Sequence, residues 1–136
     1  MPSLDVIAAF DAKLQEWPSI GACPFVDENE VSDVPQPPFI EIEYPVSSEG
    51  RMTTGSVMVY RESGSARFIV TVAAFQEGWK AQLFGWVEEL RDLFRNQRFG
   101  GVTTETVSPP VIDDRNRDRN RYSVAFVVLY TFDIVR

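Results

Sequence analysis

The chain has 136 residues, 44% hydrophobic and 24% charged, with 13 Lys and Arg against 20 Asp and Glu, no histidine and one cysteine. That length and balance suit a single globular domain with a real hydrophobic core and exclude a disordered or fibrous chain. The lack of histidine excludes His-based triads, His metal sites and the usual neutral-pH proton shuttle, and one cysteine excludes an intrachain disulfide framework.

Ser3 followed by Leu4 and Asp5 reads as an N-cap with an acid in the first turn. Leu4, Ile7, Phe10 and Leu14 recur at helical spacing, which predicts a first helix over Leu4 to Trp17, stopped by Pro18. From Ser19 to Pro38 the chain carries Gly21, Pro24, Pro35, Pro37 and Pro38 together with Asp27, Glu28, Glu30 and Asp33. This reads as an acidic, Pro-containing surface arm with little regular structure, of a length that is often functional.

Strands follow. Phe39 to Tyr44 alternates, with Ile40, Ile42 and Tyr44 on one face and Glu41 and Glu43 on the other, and Pro45 closes it. A turn is predicted at Ser47 to Gly50, a second extended segment at Arg51 to Arg61, and a hairpin loop at Ser63-Gly64-Ser65. Ala66 to Phe75 is apolar on both faces and reads as a central strand.

A second helix is predicted from about Glu77 to Gln97. Its stripe is Leu83, Trp86, Val87, Leu90, Leu93 and Phe94, its outer face carries Glu88–Arg91 and Asp92–Arg95 pairs, and Gly100-Gly101 marks the stop. Val102 to Val107 reads as a short strand ended by Pro109-Pro110. Tyr122 to Ile134 is the longest strand, with Tyr122, Val124, Phe126, Val128, Tyr130 and Phe132 on one face. The predicted order is α-β-β-β-α-β-β: an α+β fold in which two helices cover one face of a mixed, mainly antiparallel sheet of about 4–5 strands. Residues 1–136 form one domain with an arm at 19–38.

Charge is unevenly spread. Residues 1–50 hold ten acids and one base, Lys13, for a net of −9, while residues 51–136 hold twelve bases and ten acids, for +2. Such asymmetry marks either an interaction device or a solvated acidic loop beside a near-neutral core. A net charge of −7 makes the chain a poor general binder of phosphate backbones. Met1 to Phe10 has no basic n-region, and the longest apolar run, Val124 to Tyr130, is too short to span a bilayer, so a soluble intracellular protein is expected.

Little in the sequence carries catalytic chemistry. Cys23 has no histidine to activate it and reads as an inert small side chain. Asp27-Glu28-Asn29-Glu30 starts like a calcium loop, but no glycine stands at its sixth position and Pro38 replaces the bidentate glutamate. Asp113-Asp114 reads as a solvated turn, and Gly100-Gly101 follows a helix, the wrong context for a phosphate loop. A carboxylate-only hydrolase would need paired acids that the sequence does not place. No catalytic residue, metal or cofactor is expected.

One string is unusual. Arg115, Arg117, Arg119 and Arg121 alternate with Asp and Asn between a Pro-Pro stop and the last strand, and share one side if extended. They form a self-neutralised loop or a row of forks for carboxylates or phosphates. With no interleaved aromatics for base stacking, protein contact is the better of the sharper readings. Glu41, Glu43 or the acids Asp27, Glu28, Glu30 and Asp33 of a neighbouring copy could receive them, in a head-to-tail contact that closes into a ring where the rotation permits.

As a layout, the chain resembles the tail terminator (tail-completion, lambda-like minor tail protein) family of long-tailed bacteriophages. The resemblance runs from Leu4 to Ile134. It rests on the N-terminal helix, the Pro-rich approach to Phe39-Ile40-Glu41-Ile42, the Arg51 to Val59 segment and the apolar strand Phe68 to Phe75. It continues through a long helix with Ala81, Leu83, Leu90, Leu93 and Phe94, the Phe99-Gly100-Gly101-Val102 end and the aromatic strand Tyr122 to Phe132. The acidic Ser19 to Pro38 stretch is long for the family. The resemblance implies a structural protein of the virion, assembled in the host cytoplasm as a hexameric ring on the head-proximal end of the tail tube. The ring would stop tube polymerisation and present the head-attachment surface. Its partners would be copies of itself, the tail tube protein and the head–tail connector or stopper, with no membrane and with DNA passing the lumen unbound. A stopper or a tube subunit would share that geometry. From another class, a small α+β module binding a peptide or ligand also fits the composition.

Overall fold

A computed structural model describes residues 3–26, 37–52, 59–73, 78–113 and 121–135. The elements are α1 (Leu4–Leu14), β1 (Phe39–Arg51), β2 (Val59–Ala73), α2 (Trp79–Phe94), β3 (Arg98–Phe99), β4 (Val102–Val107), β5 (Val111–Asp113) and β6 (Arg121–Val135). The class is α+β, as expected: two helices and one six-stranded sheet in the order β1-β2-β6-β4-β3. β5 pairs with β6 beyond β4, and every strand pair is antiparallel.

Helix α1 ends at Leu14, short of the predicted Trp17, because the backbone tightens there. Glu16 N–H bonds to Lys13 O and Trp17 N–H to Leu14 O, the three-residue spacing that closes a helix end. Ser3 stands at the N-cap with an extended backbone, but its hydroxyl makes no capping bond. Instead its backbone N–H donates to Glu62 Oε1 at 3.1 Å. The cap is supplied from the sheet.

The strand inventory is redistributed along the sequence. β1 alternates as expected from Phe39 to Tyr44, then continues through Pro45 and the predicted Ser47–Gly50 turn to Arg51. A bulge between Glu43 and Val46 absorbs the extra residue, and β1 is an edge strand, so the missing Pro45 donor costs no ladder bond. Ser63-Gly64-Ser65 is not a hairpin but mid-strand in β2, paired with Val46, Ser47 and Ser48 on one side and Leu129 to Thr131 on the other. Gly64 is there for space. A Cβ would run into the Val46 carbonyl and stand 2.8 Å from the Tyr130 hydroxyl. Residues 53–58, within the extended segment predicted at Arg51 to Arg61, lie outside the described residues, as do 27–36, 74–77 and 114–120.

Helix α2 buries Leu83, Trp86, Val87, Leu90 and Phe94, as its stripe predicts, and leaves Leu93 partly buried. Both outer ion pairs form, Arg91–Glu88 at 2.8 Å and Arg95–Asp92 at 2.9 Å. The helix stops at Phe94, and Gly100-Gly101, with φ of 55° and 83°, turns the β3–β4 hairpin instead. β6 is the central strand and its six predicted inward residues all join the core. No helix among the described residues is long and apolar enough to cross a membrane.

Phe10 is the hub of that core. Its ring centroid lies 5.3 Å from Phe99, 5.6 Å from Tyr130, 5.7 Å from Phe94 and 6.1 Å from both Phe68 and Tyr44. Phe68 in turn stacks on Phe126 at 5.2 Å. One α1 side chain thus joins α2, the β3–β4 hairpin and strands β1, β2 and β6. Phe10→Ala is expected to cost about 3–5 kcal/mol in urea unfolding. Leu4→Ala, at a side chain 80% exposed, is expected to shift stability by no more than about 0.5 kcal/mol in the same assay.

Candidate functional site

Period-two alternation sorts the sheet residues onto two faces. Ile40, Phe68, Val70, Val124, Phe126 and Val128 meet both helices on one face. The register carries Phe39, Glu41 and Glu43, then Arg67, Ile69 and Thr71, then Arg121, Ser123 and Ala125, to the other. On this second face the Arg121 guanidinium lies 5.8 Å from the Phe39 ring centroid, within cation–π range. Thr71 and Ser123 share a buried hydroxyl–hydroxyl bond of 2.7 Å.

Three of the predicted contact residues are therefore on one surface: Arg121, Glu41 and Glu43. They are not equally open. Arg67 already donates to Glu43 at 3.1 Å, and Glu41 is 7% exposed. An incoming arginine would have to displace Arg67 to reach Glu43. Asp27, Glu28, Glu30, Asp33, Arg115, Arg117 and Arg119 lie outside the described residues.

The attachment points of those two charged segments are described, and their placement is informative. Asp113 pairs with Ser123, Ser123 with Thr71, and Thr71 with Phe39, so one row of residues crosses the sheet from β5 to β1. β5 ends at Asp113, at one end of this row. β1 begins at Phe39, at the other, and Phe25 bridges in parallel to Ile40 there. Asp113, which precedes the arginines in sequence, and Phe39, which follows the acids, thus stand at the same end of the sheet and on opposite edges of it. Sequence spacing alone could not show this, because the strand order sets it.

At the far end of the same face Arg61 clamps Asp133 with two bonds, 2.8 and 3.1 Å. This bond and the arginine's charge hold the Asp133 carboxyl below the usual carboxylate range. The pair lends stability above the ordinary aspartate value, lost as pH falls through the lowered one.

On the core face, sequence reasoning missed a buried carboxylate. Glu62 is 6% exposed and receives the Tyr130 hydroxyl at 2.7 Å besides the Ser3 N–H. Counting back by twos from Phe68 through Ala66 and Gly64 lands on Glu62, a signal masked by the loop predicted at 63–65. Burial first, and then the Glu62 bond, push the Tyr130 phenol above its ordinary value, and burial followed by Asp11 does the same for Tyr44. The Cys23 thiol is buried and pushed up to about 12 by that burial, which suits a packing residue and not a nucleophile.

Grooves of about 470 Å³ along Val46, Ser63, Ser65 and Leu129, and about 380 Å³ along Val107, Pro109, Val127 and Leu129, carry no charged side chain. No group of three or more Cys, Asp or Glu that could hold a metal occurs among the described residues. No protein-family model matches the chain, and no curated protein matches its sequence.

The phenols set a testable alkaline limit. Stability that comes from their raised values is complete below the ordinary tyrosine value of about 10 and is lost as pH climbs above it. Tyr130→Phe is expected to cost about 1–3 kcal/mol at neutral pH, and its urea midpoint should fall less steeply than the parent's above about pH 10.

Proposed function

We propose that this chain is a ring-forming structural protein of a bacteriophage tail, a tail terminator, with no catalytic role. Copies assemble, as a hexamer in the family it resembles, on the head-proximal end of the tail tube. The ring stops tube polymerisation and offers the surface to which the head connector attaches. The observation that carries the reading is that Phe39, which follows the acids in sequence, and Asp113, which precedes the arginines, stand at one end of a single sheet on opposite edges. Head-to-tail neighbours then bring unlike charges together at every contact. The net charge of −7 also suits a lumen through which DNA passes without being held, since like charge repels phosphate.

Light scattering of the purified chain, alone and with tail tubes, tests the reading: a mass of several copies supports it, and a strict monomer in both settings refutes it. Electron microscopy of particles lacking the protein separates its near relatives. Overlong tubes indicate a terminator, headless tails of normal length a stopper, and missing tails a tube subunit. Arg117→Glu with Arg119→Glu is expected to weaken assembly. The loss should be larger at about 0.01 M salt, where the screening length is about 30 Å, than at 0.15 M, where it is about 8 Å.

A further inference from the structure

We propose that the segment from Ser19 to Val26 is an edge guard: it occupies the start of β1 so that a strand from another copy of the chain does not add there. The inference goes beyond the ring reading, since it concerns a contact that the fold prevents.

β1 has need of one. It is an edge strand of thirteen residues, and Phe39 to Glu43 pair with β2 in unbroken register. A long, regular edge that carries Phe39, Ile40 and Ile42 is a template for another chain, because alternate residues turn N–H and C=O groups outward together. At Ile40 both outward groups are taken. Its N–H donates to Pro24 O at 3.0 Å, and its C=O accepts from Val26 N–H at 2.9 Å, the pattern of a parallel bridge centred on Phe25.

The guard does not become a new edge in its turn. Pro24 and Val26 face β1, so Cys23 and Phe25 face outward. Cys23 N–H is already bonded to Ser19 O at 3.0 Å. Pro24 has no N–H, so the bridge does not grow backward along β1. A strand laid against residues 23 to 26 finds one outward N–H, that of Phe25.

Local chemistry fixes the guard in place. Ile20 N–H bonds to Trp17 O, and Ala22 and Cys23 N–H both bond to Ser19 O, so the chain turns tightly after α1. Trp17 is 1% exposed, and its Nε1 donates to Glu89 of α2 at 2.8 Å. The Ser19 hydroxyl donates to the same oxygen at 3.3 Å. Cys23 is buried, and Ile20 and Phe25 pack on the core. Tied to α2 at one end and to the core at the other, the segment delivers Pro24 to Val26 onto β1. Only two backbone bonds hold it there, against a fifteen-residue ladder between β2 and β6, so the guard opens more readily than the sheet.

Val26→Pro tests the guard, because it deletes the N–H that Ile40 C=O accepts and leaves Pro24 in place. The variant is expected to melt cooperatively, with Ile40 N–H exchanging about tenfold faster than in the parent. Its light-scattering mass is expected to climb with concentration beyond that of the parent. A folded variant that keeps the parent's mass, or the parent's Ile40 exchange, overturns the guard. The unmodified chain supplies a second measurement where the variant does not fold. In dilute urea, Ile40 N–H is expected to exchange at lower denaturant than Val70 N–H of β2, and association is expected to begin in that window. Association that begins only where Val70 also exchanges overturns the guard. The parent's own mass is the reference throughout, so a parent that never forms a ring refutes the ring reading and leaves the guard standing.

Discussion

Everything else in the fold depends on how Phe10 is buried. Its ring contacts Tyr44 of β1, Phe68 of β2, Phe94 of α2, Phe99 of β3 and Tyr130 of β6, so α1 cannot leave without opening the whole core. Both helices lie on that side of the sheet. The second face carries the pairs Thr71–Ser123, Glu43–Arg67 and Arg61–Asp133, and it too is buried at Phe39, Ile69, Thr71, Ser123 and Ala125.

The long strands extend this arrangement past the helices. β2 and β6 pair over fifteen residues, and only part of that ladder lies under α1 and α2. Where it runs on, Glu62 takes over. Its carboxylate accepts from Ser3 at the start of α1 and from Tyr130 on β6, and a negative group at a helix N-terminus is favoured by the helix dipole. Gly64 makes room for the Tyr130 hydroxyl beside it. Three separate signals in the sequence, a serine cap, an aromatic strand and a glycine, turn out to serve one buried bond pair.

Much of the fold was legible because it is written in local period. The α2 stripe and the β6 alternation name their own buried residues; in α1 the stripe names Phe10 and Leu14, but Leu4 is exposed, Ile7 is half-buried, and Val6 and Ala9 are buried in their place. Boundaries were harder where a residue has two physical uses. Gly64 and Gly100-Gly101 both read as turn glycines, but the first serves close approach and the second a hairpin in place of a helix stop. Pro45 read as a strand end, though on an edge strand a missing donor is harmless. The candidate contact was only half legible. Residue types and charge separation are in the sequence, yet that Phe39 and Asp113 share one end of the sheet on opposite edges follows from strand order, which no local signal encodes.

That arrangement bears on which symmetry the chain can adopt. An isologous contact through β1 would set Glu43 and Glu49 of one copy against the same residues of the other. Like charges placed opposite each other across strands are destabilising, and the acidic half of the chain carries a net of −9. A head-to-tail contact puts the +2 half against the −9 half at each step instead. The gain in strength is modest at physiological salt, because surface pairs are screened. The gain in discrimination is not, since the alternative contact is actively repelled. In a ring of the proposed kind, charge would therefore set the polarity of the contact more than its strength, and polarity is what separates a closing ring from a two-fold dimer.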